Sequence, residues 1–410
     1  NKKALDRVSQ MHEEGICPHK VAYKDIVIGN TMVDMYSKCH SLMEAHHVFV
    51  RLSHRTVVSW TALISGYVEN GHGEEAIDWY EQMQDDGISA VTGTFACILK
   101  ACTSTIALEK AKAIHADIVK TQLEGDIVVG NSLIDMYAKC SLHGEAQCVF
   151  DKLVVQDEVS WNSLIAGYGE HGYWEEALDK FRQMQYKGIS PDDVTFICTL
   201  KVCSCIGAID KGRDIHGMIA TRGFERNIVI GNALVDMYAK GGLIHESQGV
   251  FDKLLVRSFV SWNALIVAHA QCGDMKKIYD IVGRMHAEDI NPNEMTFVSI
   301  LNACSHGGLV EYGHICFHSM KKGYDIIPTL EHYTCLVDLV GRAGLVDKAL
   351  VAVEAMPFIP NIVLWQIILG VCQTFGLKEY GGQAFLHAMQ LSMHETGAYV
   401  CFSNIYEQDN

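Results

Sequence analysis

Hydrophobic residues recur along the chain at the spacing of an α-helix. In one segment they occupy positions i, i+3, i+4 and i+7, and these residues are Trp161, Leu164, Ile165 and Tyr168. That spacing places them on one face of a helix. A polar break containing glycine follows at 170–172, and a second apolar stripe comes after it: Ala177, Phe181 and Met184. The pattern predicts two helices joined by a turn.

This helical hairpin repeats along the chain. Segments beginning at Asp25, Asp126 and Asn227, each 101 residues after the last, read DIVIGNTMVDMYSKC, DIVVGNSLIDMYAKC and NIVIGNALVDMYAKG, and a weaker copy begins at Thr329. Two other kinds of segment lie between these copies, so each period divides into units of 31, 35 and 35 residues. One hairpin cannot bury its own apolar stripe. We therefore predict an all-α fold, an α-solenoid superhelix of stacked helix-turn-helix hairpins, in which the short IVIG and VVSW runs begin helices.

Composition agrees with a folded helical chain and limits its partners. Of 410 residues, 49% are hydrophobic and only 6 are proline, which excludes a disordered or proline-rich chain. No stretch approaches the roughly 20 apolar residues of a membrane helix, and any targeting signal is expected outside this chain. The 15 scattered cysteines favour a reducing compartment. The net charge of −16 argues on its own against a nucleic-acid partner.

The repeat pattern resembles a known family. Hairpins of 31 and 35 residues that open with GNxLxDMYxKxG, VSWNxLIxGY and TFxxxLxAC resemble plant pentatricopeptide repeat (PPR) proteins of the PLS class, in which long, short and standard repeats alternate. By this resemblance residues 1–24 form a partial long repeat, and residues 25–360 form ten repeats. Residues 361–395 resemble an E1 motif, and 396–410 resemble a truncated E2 motif. The resemblance implies a sequence-specific single-stranded RNA-binding protein that recognises sites of C-to-U editing in a mitochondrion or chloroplast.

A valine recurs near the start of the first helix in the short and standard units. The resemblance implies that these valines sandwich the bases, whereas their position alone is equally typical of core residues. Glu331 replaces the valine in the last short unit, so sandwiching should be poorer there. The valines are Val27, Val58, Val128, Val159, Val229 and Val260.

An amide or hydroxyl residue follows each of these positions three residues later. A polar side chain inside an apolar stripe needs a partner, which helix capping or a hydrogen bond between repeats could also supply. In the family this residue reads a base together with the last residue of the same unit. The pairs are Asn30 with Thr56, Thr61 with Val91, Asn131 with Asp157, Asn162 with Asp192, Asn232 with Ser258, Asn263 with Asn293, and Thr334 with Asn361.

These pairs imply an RNA footprint. A carboxylate only accepts hydrogen bonds and suits a base with an edge N–H, whereas Ser or Asn can donate to a ring nitrogen. By resemblance the two Asn–Asp pairs imply uridine, Asn232–Ser258 and Asn263–Asn293 imply cytidine, and Thr334–Asn361 implies adenosine. Asn30–Thr56 suggests a pyrimidine, and Thr61–Val91 fits no rule. The long units carry Ala96, Ile197 and Val298 at this position and should read no base, so the predicted footprint is 5′-YNNUUNCCNA-3′.

Basic residues also share one register, near the end of the first helix. They are Lys38, Lys139, Lys240 and Arg342 in the short units, with Lys100 and Lys201 in long units. A single solvated lysine is ordinary, but the shared register predicts a row of phosphate contacts. Acidic residues cluster in second helices, for example at Glu74, Glu75, Glu175 and Glu176. Each phosphate neutralised on a single strand should contribute about −0.7 to the log–log salt slope.

No enzyme is predicted in this chain. Gly167, Gly169 and Gly172 spell GxGxxG, but the motif ends a helix instead of following a strand. Zinc deaminases need an HxE and a PCxxC motif, and the second is missing. We expect no cofactor, metal, membrane or small-molecule substrate. By resemblance, the E motif would be the docking surface for a cytidine deaminase or another editing factor, supplied in trans or by a further C-terminal part.

One alternative remains open. The acidity favours a protein-binding solenoid that does not bind RNA, similar to tetratricopeptide repeat arrays. Those arrays repeat uniformly at 34 residues, which the alternation of 31, 35 and 35 residues does not match.

Overall fold

The computed structural model describes residues 26–391 and 396–407, which are α-helical apart from connecting loops and one 3₁₀ turn, Phe224–Arg226. These residues contain no β-strand. The predicted partial repeat at 1–24 and the last residues of the E2-like segment, 408–410, lie outside them. No helix within the described ranges is both long enough and apolar enough to span a bilayer.

The chain divides into two compact units, Asn1–Val202 and Cys203–Asn410. Helices of the first unit are α1 (Ile26–Lys38), α2 (Leu42–Arg51), α3 (Val57–Glu69), α4 (Gly73–Asp85), α5 (Thr92–Thr105), α6 (Leu108–Lys120), α7 (Ile127–Lys139), α8 (His143–Lys152), α9 (Glu158–Glu170), α10 (Trp174–Tyr186) and α11 (Asp193–Ile206), whose last residues belong to the second unit. The second unit continues with α12 (Ile209–Thr221), α13 (Ile228–Lys240), α14 (Ile244–Lys253), α15 (Phe259–Gln271), α16 (Met275–Ala287), α17 (Glu294–Gly307), α18 (Val310–Gly323), α19 (Leu330–Arg342), α20 (Val346–Glu354), α21 (Ile362–Phe375), α22 (Lys378–Leu391) and α23 (Thr396–Glu407).

Successive hairpins stack through their first helices. In the first unit α1, α3, α5, α7 and α9 pack against one another in sequence order, and in the second α13, α15, α17, α19, α21 and α23 do the same. Most of these helices also contact the second helix of their own hairpin. The prediction of an all-α repeat solenoid is therefore confirmed, and the IVIG and VVSW runs begin helices as expected.

The difference between 31- and 35-residue units lies mainly in the second helix. In the short units α2, α8 and α14 have 10 residues and α20 has 9. In the standard units α4, α10 and α16 have 13. A short unit thus lacks about one helical turn of 3.6 residues.

A buried tryptophan joins each short unit to the standard unit that follows it. Trp161 of α9 meets the ring of Phe150 of α8 edge to face, with centroids 4.7 Å apart. Trp60 with Phe49 and Trp262 with Phe251 repeat this geometry at 4.7 and 4.6 Å. All three indoles are at most 1% exposed. The core therefore repeats the same Trp–Phe contact between neighbouring hairpins, as expected when hairpins bury their apolar faces on one another.

The glycine before the asparagine in the GN motif allows close packing within the short units. A Cβ at Gly130 would overlap the side chain of Leu153, and one at Gly231 would overlap Leu254 in the same way. Leu153 and Leu254 are themselves buried at the ends of α8 and α14. The glycine therefore lets the loop after the second helix pack directly onto the first.

We expect Gly130→Ala to destabilise the protein by about 1–3 kcal/mol, the usual cost of overpacking a filled site. Gly144→Ala is the matched control, because Gly144 also lies in a helix but a Cβ there would meet nothing within 4 Å. Urea unfolding of both variants measures the difference. Equal stability of the two variants would show that the contact with Leu153 relaxes freely.

Candidate nucleic-acid interface

A row of exposed valines marks one end of the first helices. Each lies at the second residue of its helix, and their exposed fractions run from 45% at Val260 to 70% at Val27. The alternative that these valines are core residues is therefore wrong. The other members are Val58, Val128, Val159 and Val229.

Three further apolar residues lie at this register and were not predicted from the sequence. Val194 and Met295 in long units and Val363 in the segment after the repeats are also second in their helices, and are 46%, 55% and 48% exposed. Their position relative to the helix start was the signal that could have found them. Each of these apolar side chains leaves an exposed hydrophobic surface at the same position of its own helix.

Asparagines of the same helices contact the start of the next first helix. Asn131 Nδ2 donates to Asp157 Oδ1 at 3.1 Å. Asn162 Nδ2 lies 3.0 Å from both carboxylate oxygens of Asp192. Asn263 Nδ2 donates to Asn293 Oδ1 at 3.3 Å. Three of the pairs predicted from the sequence are thus brought together, each between two neighbouring hairpins of the same compact unit.

The second member of each pair also caps a helix. Asp157 accepts the backbone N–H of Ser160 at 2.9 Å, and Asp192 accepts that of Thr195 at 2.8 Å. Asn293 accepts from Thr296 N–H at 3.0 Å. Ser, Thr, Asp and Asn are favoured at this position because their side chains satisfy a free N–H of the first turn. Capping and inter-repeat bonding, the structural alternatives for these residues, are both present.

Both aspartates present a charged edge. Burial alone would raise the pKa of Asp157, but hydrogen bonds from Ser160, Asn131 and the backbone outweigh it and hold the pKa below its usual 3.8. Burial would likewise raise the pKa of Asp192, but hydrogen bonds from Thr195 and Asn162 outweigh this effect, so its pKa is also lowered. Each carboxylate is therefore ionised at neutral pH and acts only as an acceptor.

The other predicted pairs are arranged differently. Asn232 Oδ1 accepts from Ser261 Oγ at 2.6 Å, while the Ser258 hydroxyl lies 3.4 Å from that of Ser261. The Thr61 hydroxyl meets Thr94 rather than Val91, at 2.7 Å. The carbonyl oxygen of Asn30 is buried without a hydrogen-bond partner in the described structure, while Thr56 caps α3.

The last pair shares a surface cavity. Thr334 Oγ1 donates to the Leu330 carbonyl one turn back, at 2.8 Å. Asn361 Oδ1 accepts the Leu364 N–H at 3.0 Å. Both side chains line one cavity together with Glu331. The long-unit residues Ala96, Ile197 and Val298 are half-buried.

Each cation of the predicted basic row in the short units is paired with an aspartate of its own helix. Lys139 Nζ lies 2.9 Å from Asp135, four residues earlier. The other three pairs are Lys38 with Asp34 at 2.8 Å, Lys240 with Asp236 at 2.9 Å, and Arg342 with Asp338 at 2.9 Å. The row is thus a row of exposed ion pairs, while Lys100 and Lys201 are exposed on the long units.

No group of three or more His, Cys, Asp or Glu side chains in the described ranges is arranged to hold a metal ion. Of the GxGxxG residues, Gly167 lies within α9 against Ala138, and Gly172 ends that helix at φ +83°. This motif therefore serves helix packing and termination.

Comparisons with known proteins decide the family. Models of the PPR repeat family match residues 55–104, 156–205 and 257–306, and those of the PPR repeat match 131–157 and 232–259. The pentatricopeptide repeat-containing protein At4g25270, chloroplastic, of Arabidopsis thaliana is 36% identical over 99% of this chain and 76% of its own length. The chain belongs to the pentatricopeptide repeat family.

Other PPR relatives are longer. At4g38010 of A. thaliana is 37% identical over 98% of this chain and 73% of its own length. At3g02330, mitochondrial, is 36% identical, and this chain spans only 44% of it. Among solved structures, PPR10 from maize has a TM-score of 0.60 at 19% identity, covering 99% of this chain and 65% of that one. This likeness shows that the PPR solenoid fold is shared.

Proposed function

We propose that this PPR protein binds single-stranded RNA sequence-specifically and selects sites of C-to-U editing in a mitochondrion or chloroplast. The observation that carries the proposal is the repeated Asn–Asp or Asn–Asn pair beside an exposed apolar side chain. Such a set supplies what a single-strand reader needs at each nucleotide, an apolar contact for the base face and polar groups for its edge. Relatives named chloroplastic and mitochondrial support the organelle.

The hydrogen-bond chemistry supports the base assignments. Beside an ionised Asp157 or Asp192, the asparagine presents a donor and the carboxylate an acceptor, which complements the N3–H and carbonyl of uridine. Ser258 and Asn293 are neutral and can both donate, so they suit the ring nitrogen and carbonyl of cytidine. The proposed footprint remains 5′-YNNUUNCCNA-3′. Nucleotides 4 and 5 would be read by hairpins of the first compact unit, and nucleotides 7 and 8 by hairpins of the second.

The editing role rests on the PLS-like alternation of unit lengths and on the segment after the repeats. There α21 and α22 form one more hairpin, and α23 packs against both. We propose that 361–395 and 396–410 are the E1-like and truncated E2-like motifs, and that they bind a cytidine deaminase or another editing factor. The chain itself would select the site and leave the chemistry to that partner.

A direct test compares two labelled RNAs, the footprint sequence and a copy with uridines 4 and 5 changed to adenosine. We expect the copy to bind at least about 30-fold more weakly, because it has two wrong hydrogen-bonding edges and each costs about 1–3 kcal/mol. Equal binding would overturn the base assignments. Binding of neither RNA would favour the protein-binding solenoid. The acidic net charge and the ion-paired lysines are the features that support that alternative.

The ion pairs of the basic row lead to opposite expectations for the two partners. Lys139→Gln should reduce the magnitude of the log–log salt slope by about 0.7, the contribution of one phosphate. Asp135→Asn should instead tighten binding by up to about fivefold. In the wild type Lys139 must give up its surface ion pair with Asp135, worth about 0.2–1 kcal/mol, before it contacts a phosphate, and in the variant this cost is absent.

Lys120→Gln is the control for this experiment. Lys120 forms an ion pair with Asp117 at 2.7 Å, but it lies on the second helix of its hairpin, so its loss should leave the slope unchanged. Titrations between 50 and 200 mM salt give the slopes. An equal change for Lys120→Gln and Lys139→Gln would contradict a phosphate row on the first helices.

A further inference from the structure

Four asparagines of the candidate interface accept a short hydrogen bond from a hydroxyl of the next first helix. In every case the donor is the third residue of that helix, and the oxygens are 2.6 Å apart. The bonds are Ser160 to Asn131, Thr195 to Asn162, Ser261 to Asn232 and Thr296 to Asn263. All four hydroxyl residues are fully buried, and the sequence analysis assigned them no role.

We propose that these hydroxyls are positioning residues, which fix the amide orientation of the asparagines and so determine that each presents its NH₂ to a base. The proposal rests on the proposed function for its consequence in RNA recognition. An amide can present either a donor or an acceptor after a half-turn. Occupying the carbonyl oxygen leaves the NH₂ to face the partner residue and the base.

The hydrogen-bond pattern around each hydroxyl favours this direction. The Thr296 oxygen accepts the backbone N–H of Asn293 at 3.1 Å, so its own hydrogen remains to be donated. Both Asn263 Oδ1 and Asn293 Oδ1 lie within reach, at 2.6 and 2.9 Å. The shorter contact is to Asn263, where two oxygens at 2.6 Å require a hydrogen between them. Thr195 has the same surroundings, with Asp192 N–H at 3.2 Å.

The three long-unit positions that read no base lack this hydroxyl, although Thr61, which fits no base rule, contacts the hydroxyl of Thr94 at the same place. In two long units the residue at this register is apolar, and the third residue of the next first helix is apolar too. Val129 takes this place after Ala96, and Ile230 takes it after Ile197. Val298 is followed by His332, whose ring bonds Thr329 and the Glu294 carbonyl instead. Thr334 is followed by Leu364, and its hydroxyl turns back to the carbonyl of Leu330. A buried hydroxyl thus contacts four of the five asparagines at this register, and the exception is Asn30, whose side-chain oxygen has no partner in the described residues although Ser59 is the third residue of α3.

The companion residue decides how much depends on the hydroxyl. Beside the carboxylate of Asp192, a reversed amide would place two acceptors about 3 Å apart, so repulsion keeps Asn162 in place even without Thr195. Beside Asn263, the neutral side-chain amide of Asn293 can itself rotate, so it does not hold Asn263 in one orientation. Loss of the Thr296 hydroxyl should therefore free Asn263 to present its carbonyl oxygen, which suits the N3–H of uridine instead of cytidine.

The test measures binding of Thr296→Val to RNAs that differ only by C or U at nucleotide 8. We expect the C-over-U preference to fall about three- to tenfold, the range of one net hydrogen bond. Thr296→Ser keeps the hydroxyl and should restore the wild-type ratio. Thr195→Val should weaken binding while keeping its U-over-C preference at nucleotide 5.

Two controls remove other buried hydroxyls of the same helices. Ser299 and Thr199 donate to backbone carbonyls of their own helices, at 2.9 and 2.8 Å, so Ser299→Ala and Thr199→Val should leave both ratios unchanged within twofold. An unchanged ratio in folded Thr296→Val, or a lowered ratio in Ser299→Ala, would overturn the proposal.

A measurement without RNA separates this proposal from the proposed function. In protein labelled with ¹⁵N-asparagine, the side-chain NH₂ of Asn263 should exchange with solvent faster in Thr296→Val than in the wild type or in Ser299→Ala. Unchanged exchange would overturn the positioning role whatever the RNA result. If the wild type binds C and U equally at nucleotide 8, the base assignment fails, and the exchange rates alone decide the role of Thr296.

Discussion

Replacing Asn162 by threonine and Asp192 by asparagine together is expected to change the preferred base at nucleotide 5 from uridine to adenosine. The carboxylate that accepts from uridine N3–H is lost, and a neutral amide takes its place that can donate to the ring nitrogen of adenosine. We expect the ratio of U to A affinity to reverse, with a total change of at least about 30-fold, since two wrong edges at about 1–3 kcal/mol each are exchanged.

The surrounding structure should accommodate this change. A threonine at the reading position already occurs at Thr61, whose hydroxyl contacts that of Thr94 at 2.7 Å, and Thr195 occupies the place of Thr94 in the next triplet. An asparagine cap already occurs at Asn293. Fluorescence anisotropy with RNAs varied at nucleotides 4 and 5 gives the measurement.

Nucleotide 4, read by Asn131 and Asp157, is the internal control and should keep its preference for uridine. A folded double mutant that still prefers uridine at nucleotide 5 would show that Asn162 and Asp192 do not contact the base. A simultaneous change at both nucleotides would indicate that the double substitution rearranges the neighbouring hairpins.

Trp161→Ala is expected to have the largest effect on stability, about 3–5 kcal/mol, the usual cost of truncating a buried aromatic residue. Trp161 is fully buried and forms the joint between α8 and α9 through Phe150. Val159 lies two residues earlier on the same helix but is 53% exposed. Val159→Ala should therefore change the free energy of unfolding by no more than about 0.5 kcal/mol.

The two variants should affect RNA binding in the opposite order. Below the melting temperature of both, Val159→Ala should weaken binding about fivefold, because an apolar contact with a base is worth about 1 kcal/mol or more. Folded Trp161→Ala should bind nearly as the wild type does. Urea unfolding and anisotropy on the same preparations separate the effects. Equal destabilisation by both variants would place Val159 in the core and contradict its role as a base contact.

The sequence was sufficient to predict the hairpins, their stacking and the starts of the helices. Helical spacing and repeat length depend on local pattern, and both survive when hairpins are stacked. The pairing of Asn131 with Asp157 and of Asn162 with Asp192 was also predicted before the structure, but it came from the family resemblance and not from the spacing. Their hydrogen bonds agree with the expected neighbours, while contact with a base stays a prediction.

Other features depend on how one hairpin is rotated against the next. The Ser160 and Thr195 hydroxyls belong to a neighbouring helix, and no periodicity within a unit indicates that they reach Asn131 and Asn162. The pairing of Lys139 with Asp135 was different, because a spacing of four residues on a helix predicts an ion pair. The register that the lysines share between repeats does not show this contact, which lies within one helix.

We propose that each short or standard hairpin presents one pair of residues to one nucleotide, and that each long hairpin passes one nucleotide unread. Selection of bound RNAs from a random pool by the unmodified protein tests it most directly. We expect enrichment of two adjacent uridines and two adjacent cytidines, separated by one unselected nucleotide where the long unit carries Ile197. Enrichment of unrelated bases, of the two blocks without the spacer, or of no position would contradict it.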